Sequence, residues 1–584
     1  MPIIWSLTPP PPLAPPPPPP PRWELLEQPV LPIRAEPPPP LRQPLTPEEV
    51  ELVVNSTPLQ PADFHPPLRL APAVPTANLL PPQQWRLGFA NISPFESATG
   101  RGNQNHSLNL DVGLSENLQI SGFLSQADAP LNAPLKGFDI QPGNLWKSAG
   151  GAARLRLLQT NGWKLALNGS LEHWRVGSGG DDSFADKGDK ASPNIFNDSG
   201  RRVETDNLVG SLSLPLSWAP SPQWQFSLVP GITFLPATQG KGQGGSGEFY
   251  GTSPYLSGGL LWQPLPQLGL TASIAQPIGA GSNSFNRDLN YSRVPILSAG
   301  LNWDLNPRIG LRGTLTNGFG ATPATGLLAL PSDNRLGYSA QFVYTPDAPD
   351  TPQPPLSSRQ RSLARGGLTV NTALVPPDDS TEFWVNADGD GNLNGFLGYS
   401  LSNVFQLGLT KGVVNNVPPS TPQARVYAGD GDINWRVGGK AVAFSPLRGA
   451  PFWGGGRISL GRNSDIDANT NRDYVFTETM ATWEPIPNLA VNLNPKVAWS
   501  NRGNLWGIGL SANVQLAPRW QLVPETNLVA NKIHQSNGTL GLRWSATDSV
   551  AVETYISTAA STMDIGQLLS AERVRWGGRL LVSF

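Results

Sequence analysis

GQLLSAERVRWGGRLLVSF, residues 566–584, lies without a gap over GLLALPSDNRLGYSAQFVY, residues 326–344. The two segments share Gly, Leu and Gly at equivalent places, and each ends on an aromatic residue. Read with the period of two of a β-strand, the first puts Leu336, Tyr338, Ala340, Phe342 and Tyr344 on one face, and the second puts Trp576, Gly578, Leu580, Val582 and Phe584 there. Other pairs extend the repeat. WAPSPQWQFSLVPGITF (218–234) lies over WEPIPNLAVNLNPKVAW (483–499), and GLNW (300–303) over GLRW (541–544). The chain is a tandem duplication, and each half is one structural unit.

Composition bounds the class. Among 584 residues 14% are charged, 61 are Gly and none is Cys. Charge is scarcer and glycine commoner than in an ordinary soluble domain, and a disulfide framework or thiolate site is excluded. A net charge of −2 supplies no basic field for nucleic acid, so none is expected as a partner. No stretch is apolar over the roughly 20 residues a membrane-spanning helix needs, so any span must be made by strands.

The strands are legible. SLNLDVGLS (107–115) sets Leu108, Leu110, Val112 and Leu114 against Asn109 and Asp111. The strands beginning at Trp163 and Trp224 repeat the alternation. Short turns at 115–117, 160–162, 219–223, 264–267, 306–308, 485–488, 517–519 and 547–549 alternate with long polar connections at 127–145, 177–204, 238–248 and 461–472. Such sorting is what a transmembrane barrel shows, with short periplasmic turns and longer external loops. Trp146, Trp218, Trp262, Trp303, Trp483, Trp520 and Trp544 fall near strand ends, as interfacial girdles require. The expected fold is all-β: two tandem transmembrane antiparallel barrels of about 12 strands each, or one barrel of about 24.

Four regions follow: a proline-rich, disordered N-terminal arm over 1–83, a first barrel repeat over 84–345, a proline-rich linker over 346–363 and a second repeat over 364–584. The opening MPIIWSLTPPPPLAPPPPPPPR shows no charged n-region or continuous apolar h-region, so no signal peptide is visible for the cell outer membrane expected as destination.

No catalytic constellation emerges: His65, His106, His173 and His534 are scattered, and His173 shares the outward parity of Leu171. DGDGNLN (388–394) and DGD (430–432) resemble fragments of calcium loops but place Leu393 where an EF-hand needs Gly and Tyr399 where it needs Glu. They read as acidic turns, and neither metal nor cofactor is expected. Because Arg or Lys on lipid at mid-bilayer costs roughly 2 to 4 kcal/mol, mid-strand charges are assigned to the interior: Arg154, Arg156, Lys164, Glu172, Arg312, Lys496, Arg543, Glu553, Arg575 and Arg579. Their basic excess implies a mild preference for anionic or polyhydroxylated solutes in an open lumen; in a closed one, opposite charges would pair. In the last strand Gly577, Leu580, Val582 and Phe584 are the expected closing and assembly signal.

Residues 84–584 resemble an outer-membrane β-barrel, whose closing strand would address the barrel-assembly machinery and whose outer face would meet outer-membrane lipid. Through GLLALPS (326–332) and the Gly-containing strand after it, the tandem copies are similar to the YjbH-like double-barrel family associated with exopolysaccharide. That resemblance implies a non-enzymatic role in secretion or display of polysaccharide. The function expected first from the sequence is a channel for passive or export passage of polar solutes. A non-conducting protein associated with exopolysaccharide secretion or surface assembly is the alternative, and a soluble or surface-attached β-rich binding module the second.

Overall fold

The computed structural model describes residues 67–95, 104–128, 144–178, 203–236, 251–286, 291–329, 335–348, 354–413, 433–464, 472–500, 504–530 and 536–584. Residues 1–66, the 430–432 turn, His534 and most of the four long connections named above lie outside them.

Alternating side chains produce two closed walls. In the first, strands run from Trp85–Pro94 through Gln104–Gly113, Leu118–Asp128, Asn144–Thr160 and Trp163–Ser178 to Gly337–Tyr344, each antiparallel to the next. The last pairs with the first, Phe342 opposite Phe89. Val203–Ser213 and Leu216–Ser221 together form one of its staves, both pairing with Trp163–Ser178 and with Trp224–Phe234. The break falls at Pro215, which has no N–H to give a ladder; its carbonyl still accepts from Ala166 N at 3.0 Å. Counted so, the wall has twelve staves. The second wall is a closed barrel of twelve strands from Thr381–Asp388 to Ser570–Ser583, closed with Leu580 opposite Val385. The single wide barrel is thereby set aside.

All eight short turns expected from the sequence join consecutive strands. Leu108, Leu110, Leu124, Leu171, Leu228 and many like them are exposed on the outer faces, while Asn109, Asp111, Asn168 and Ser227 between them are buried. Trp218, Trp262, Trp303, Trp483, Trp520 and Trp544 are exposed near the short turns, and Trp435, Trp499, Trp506 and Trp576 near the opposite rim. Trp146 departs from the girdle: it is buried, edge-on to Phe319 at 5.8 Å.

Inside, glycines make room for rings on neighbouring strands. Gly231 lies opposite Tyr255, Gly461 opposite Tyr474 and Gly577 opposite Tyr555. A Cβ on any of these glycines would stand 2.1 to 2.4 Å from the ring, well inside van der Waals contact. Gly577 therefore faces inward, not outward with Leu580 and Phe584.

The regions expected to be arm and linker end sooner than their sequence suggested, because parts of both are packed inside the barrels. From Pro67 the chain is inside the first barrel, where Arg69–Ala71 and Val74–Pro75 form a small hairpin. Leu70, Val74 and Ala73 pack there with Val229, Tyr255, Leu261 and Ile296. Within 346–363, Ser358–Ala364 begins as a helix capped by Ser357, whose side chain accepts from Gln360 N while the Gln360 side chain reaches back. This is a capping box. Leu363, Val370 and Leu374 are completely buried as the chain continues into the second barrel.

The barrels meet beside their short-turn ends. Tyr344, at the end of the first wall, is buried with Ile309, Phe405, Val442 and Trp453. Its outward parity points at the second barrel rather than at solvent or lipid, which corrects the expectation that it ends an open apolar face. Asn306 Nδ2 donates to Val442 O across the seam at 3.1 Å.

Candidate functional site: the filled barrel interiors

Each interior is occupied by two pieces of chain. One is the strap that precedes the first strand, lying inside over residues 67–80 in the first barrel and 362–376 in the second. The other is the connection before the last strand, 317–329 and 560–569. The first strap leaves by the short-turn end, where Gln83 N donates to Gly113 O at 2.8 Å beside the 114–117 turn. The connection arrives from the other rim.

In the first barrel Arg154 is buried and donates from Nη1 to Leu68 O at 3.1 Å and to Asn78 O at 2.9 Å. Lys164 Nζ reaches the side-chain oxygen of the same Asn78 at 3.1 Å. Arg156 follows at the short-turn end, half-buried. Glu172, 1% exposed, holds the inserted connection: it accepts from Thr322 Oγ1 at 2.6 Å, Ala324 N at 2.7 Å and Ser148 Oγ at 2.8 Å. A buried carboxylate with several donors is satisfied without a counter-ion. Arg312 pairs with Asp304 at 2.6 Å.

The second barrel is denser in charge. Glu553 sits between Arg543 and Arg579, accepting from Arg579 Nε at 2.5 Å and from Arg543 Nε. Both arginines also donate to the strap, Arg543 to Ser362 O at 2.6 Å and Arg579 to Gly367 O at 2.9 Å. Lys496 Nζ donates to Thr369 O, to Asn527 Oδ1 and Gln567 Oε1 at 2.8 Å each, and lies 3.5 Å from Glu478. It therefore touches wall, strap and inserted connection. Arg575 stands apart near the other rim, 2.9 Å from Asp388 of the 388–394 turn, whose Asp390 is held by Arg573.

Sequence reasoning passed over Glu478, Glu525, Arg436 and Arg457, wall partners of these segments, and Asp564 within the second inserted connection. Glu525 accepts from Leu368 N, Thr369 N and Thr369 Oγ1 at 2.8, 2.5 and 2.7 Å. Asp564 pairs with Arg436 at 3.2 Å and with Arg457. The inward parity of Glu478 and Glu525 was available from their strands; Asp564 carried no such signal, being in a connection.

Among the described residues, a cavity of about 130 Å³ lies in the first barrel and one of about 70 Å³ in the second. On the outside, Leu580 is exposed and Phe584 is 77% exposed. Phe584 exchanges backbone bonds with Thr381 at 2.9 and 3.2 Å, and Val582 lies opposite Phe383. His106 stacks with Phe89 at 6.4 Å, and His173 lies 3.2 Å from Asp206 on the outer face.

These features define a class: tandem twelve-stranded β-barrels, each filled by its own strap and inserted connection. No protein-family model matches the chain, and no curated protein matches it. Among solved structures it is similar to the NanC porin, at 8% identity over 44% of this chain and 98% of that one, with a TM-score of 0.26. It is also similar to the siderophore receptor PirA from Pseudomonas aeruginosa, at 10% identity over 87% and 81%, TM-score 0.20. The ferric yersiniabactin uptake receptor FyuA from Yersinia pestis gives 13% identity over 87% and 81%, TM-score 0.17. Likenesses of this size carry no functional argument.

Proposed function

We propose that this chain is an outer-membrane protein whose two barrels are closed at rest and serve secretion or surface assembly, with polysaccharide as the partner class. The filling of both interiors by chain segments, bonded through buried charge, carries this reading. An open diffusion pore would need a continuous polar path, whereas Lys496, Glu525, Arg543 and Arg579 each hydrogen-bond the strap that fills the second barrel. The membrane placement is supported by the exposed Leu, Ile and Trp of both outer faces, which a soluble protein would bury or break up. The exposed last strand ending in Phe584 suits docking on the barrel-assembly machinery.

Conductance of purified, detergent-folded protein in a planar lipid bilayer tests the proposal. Silence from folded protein is the expected result. Stable steps of open-pore size would overturn the closed state and return the reading to a channel for polar solutes.

A further inference from the structure

The cavity of the first barrel is unevenly charged. Three guanidinium groups, Arg69, Arg86 and Arg312, face it together with a single carboxylate, Asp111. Two of the three are neutralised. Arg69 Nη2 lies 3.0 and 3.1 Å from the Asp111 oxygens, and Arg312 is 2.6 Å from Asp304. Arg86 is 8% exposed, and among the described residues its bond is one from Nε to Thr345 Oγ1 at 3.3 Å.

A guanidinium is always charged and carries five donors in a planar fork. Asp111 lies directly across from Arg86 on the next strand, so three guanidinium groups share two carboxylates, Asp111 and Asp304. The one positive charge left in excess is costly to bury, and an anion in reach of the Arg86 fork removes that cost. We infer that the cavity beside Arg86 is a binding subsite for an oxyanion, a phosphate or a carboxylate, entered near the short-turn end of the first barrel. Position supports the entrance: Arg86 is the second residue of the first strand, and Thr345 directly follows the last strand.

The surrounding wall favours a hydroxyl-bearing carrier. Asn109, Asn302, Thr314, Ser339 and Gln341 line the same cavity, offering donors and acceptors to an alcohol. Gly88 keeps the wall open between Asn109 and Gln341, since a Cβ there would come within 2.8 Å of Gln341 Nε2. The inference stands independently of whether the barrels conduct or assist secretion.

The test is titration calorimetry of the full-length, detergent-folded protein with sodium phosphate and, separately, sodium glucuronate in low-salt buffer. Either ligand should bind to wild type, and Arg86→Gln should weaken binding at least tenfold. Asn109→Asp is the second variant: it keeps Arg86 but adds a carboxylate to the cavity, and it should also abolish binding. Tighter binding of glucuronate would identify a polyhydroxylated carrier, and tighter binding of phosphate a free ion. Folded wild type that binds neither overturns the site, as does undiminished binding by either variant.

Discussion

Gly326 lies so close to Ala73 that a Cβ on the glycine would stand 2.8 Å from the Ala73 backbone nitrogen and 3.0 Å from the Pro72 carbonyl carbon. The connection entering from one rim here meets the tip of the strap hairpin entering from the other. Both obstacles are backbone, so neither can swing aside as a flexible side chain would. Gly326→Ala should destabilise the protein by about 1–3 kcal/mol, the usual cost of overpacking. A lowered urea midpoint in detergent is the readout. If the two segments together seal the first barrel, the variant should also show brief conductance events that wild type lacks.

The second barrel depends on a different clasp. Glu525 accepts three bonds from Leu368 and Thr369, and Gly367 is pressed against it, a Cβ there falling 2.1 Å from Glu525 Oε1. Glu525→Ala leaves two backbone N–H groups and a hydroxyl without their acceptor inside the barrel. At about 1–3 kcal/mol for each orphaned buried donor, the loss should be at least about 3 kcal/mol. Amide exchange at 368 and 369 should accelerate far more than exchange in the wall strands. Glu525→Gln keeps one acceptor oxygen and should show a smaller effect.

At the seam, the Tyr344 ring lies 4.5 Å from Phe405, and its hydroxyl donates to Ser402 Oγ at 2.8 Å. Tyr344→Phe should cost about 1 kcal/mol, the worth of one hydrogen bond. Tyr344→Ala empties a ring-sized volume in the buried cluster and should cost about 3–5 kcal/mol. Because the cluster joins the two walls, the alanine variant should also turn one thermal transition, followed by circular dichroism, into two.

The walls were legible in the sequence because a strand with one lipid-like and one polar side writes its orientation in every second residue. That rule distinguished Leu108 from Asn109, and the duplication at 326–344 and 566–584 marked where each wall ends. It failed where side chains have partners on more than one side. Residues 67–80 and 362–376 are surrounded by wall, so Leu70 and Val370 are buried without any period, and the prolines of the first stretch looked like part of the arm. One further match was available: LLPP at 79–82 and LVPP at 374–377 precede the first strand of each copy. Trp146 and Tyr344 deceived for a related reason, since an aromatic near a strand end is at home in a girdle, under an inserted connection or in a seam between barrels.

Glu553 gives the sharpest test of how the interior is held. It is the shared acceptor of Arg543 and Arg579, all three being buried, so Glu553→Gln leaves two buried guanidinium groups without their shared carboxylate. Breaking a buried pair by removing one partner costs about 3–5 kcal/mol, and a comparable fall in unfolding free energy is expected from urea titration in detergent. Replacing all three together, Glu553→Leu with Arg543→Met and Arg579→Met, removes the stranded charge and should recover part of the loss. Recovery should stay incomplete, because the strap carbonyls of Ser362 and Gly367 lose the donors that Arg543 and Arg579 gave them. A triple variant as stable as wild type would mean that these two bonds add nothing, and that packing together with the Glu525 and Lys496 bonds to the strap keeps it inside the barrel.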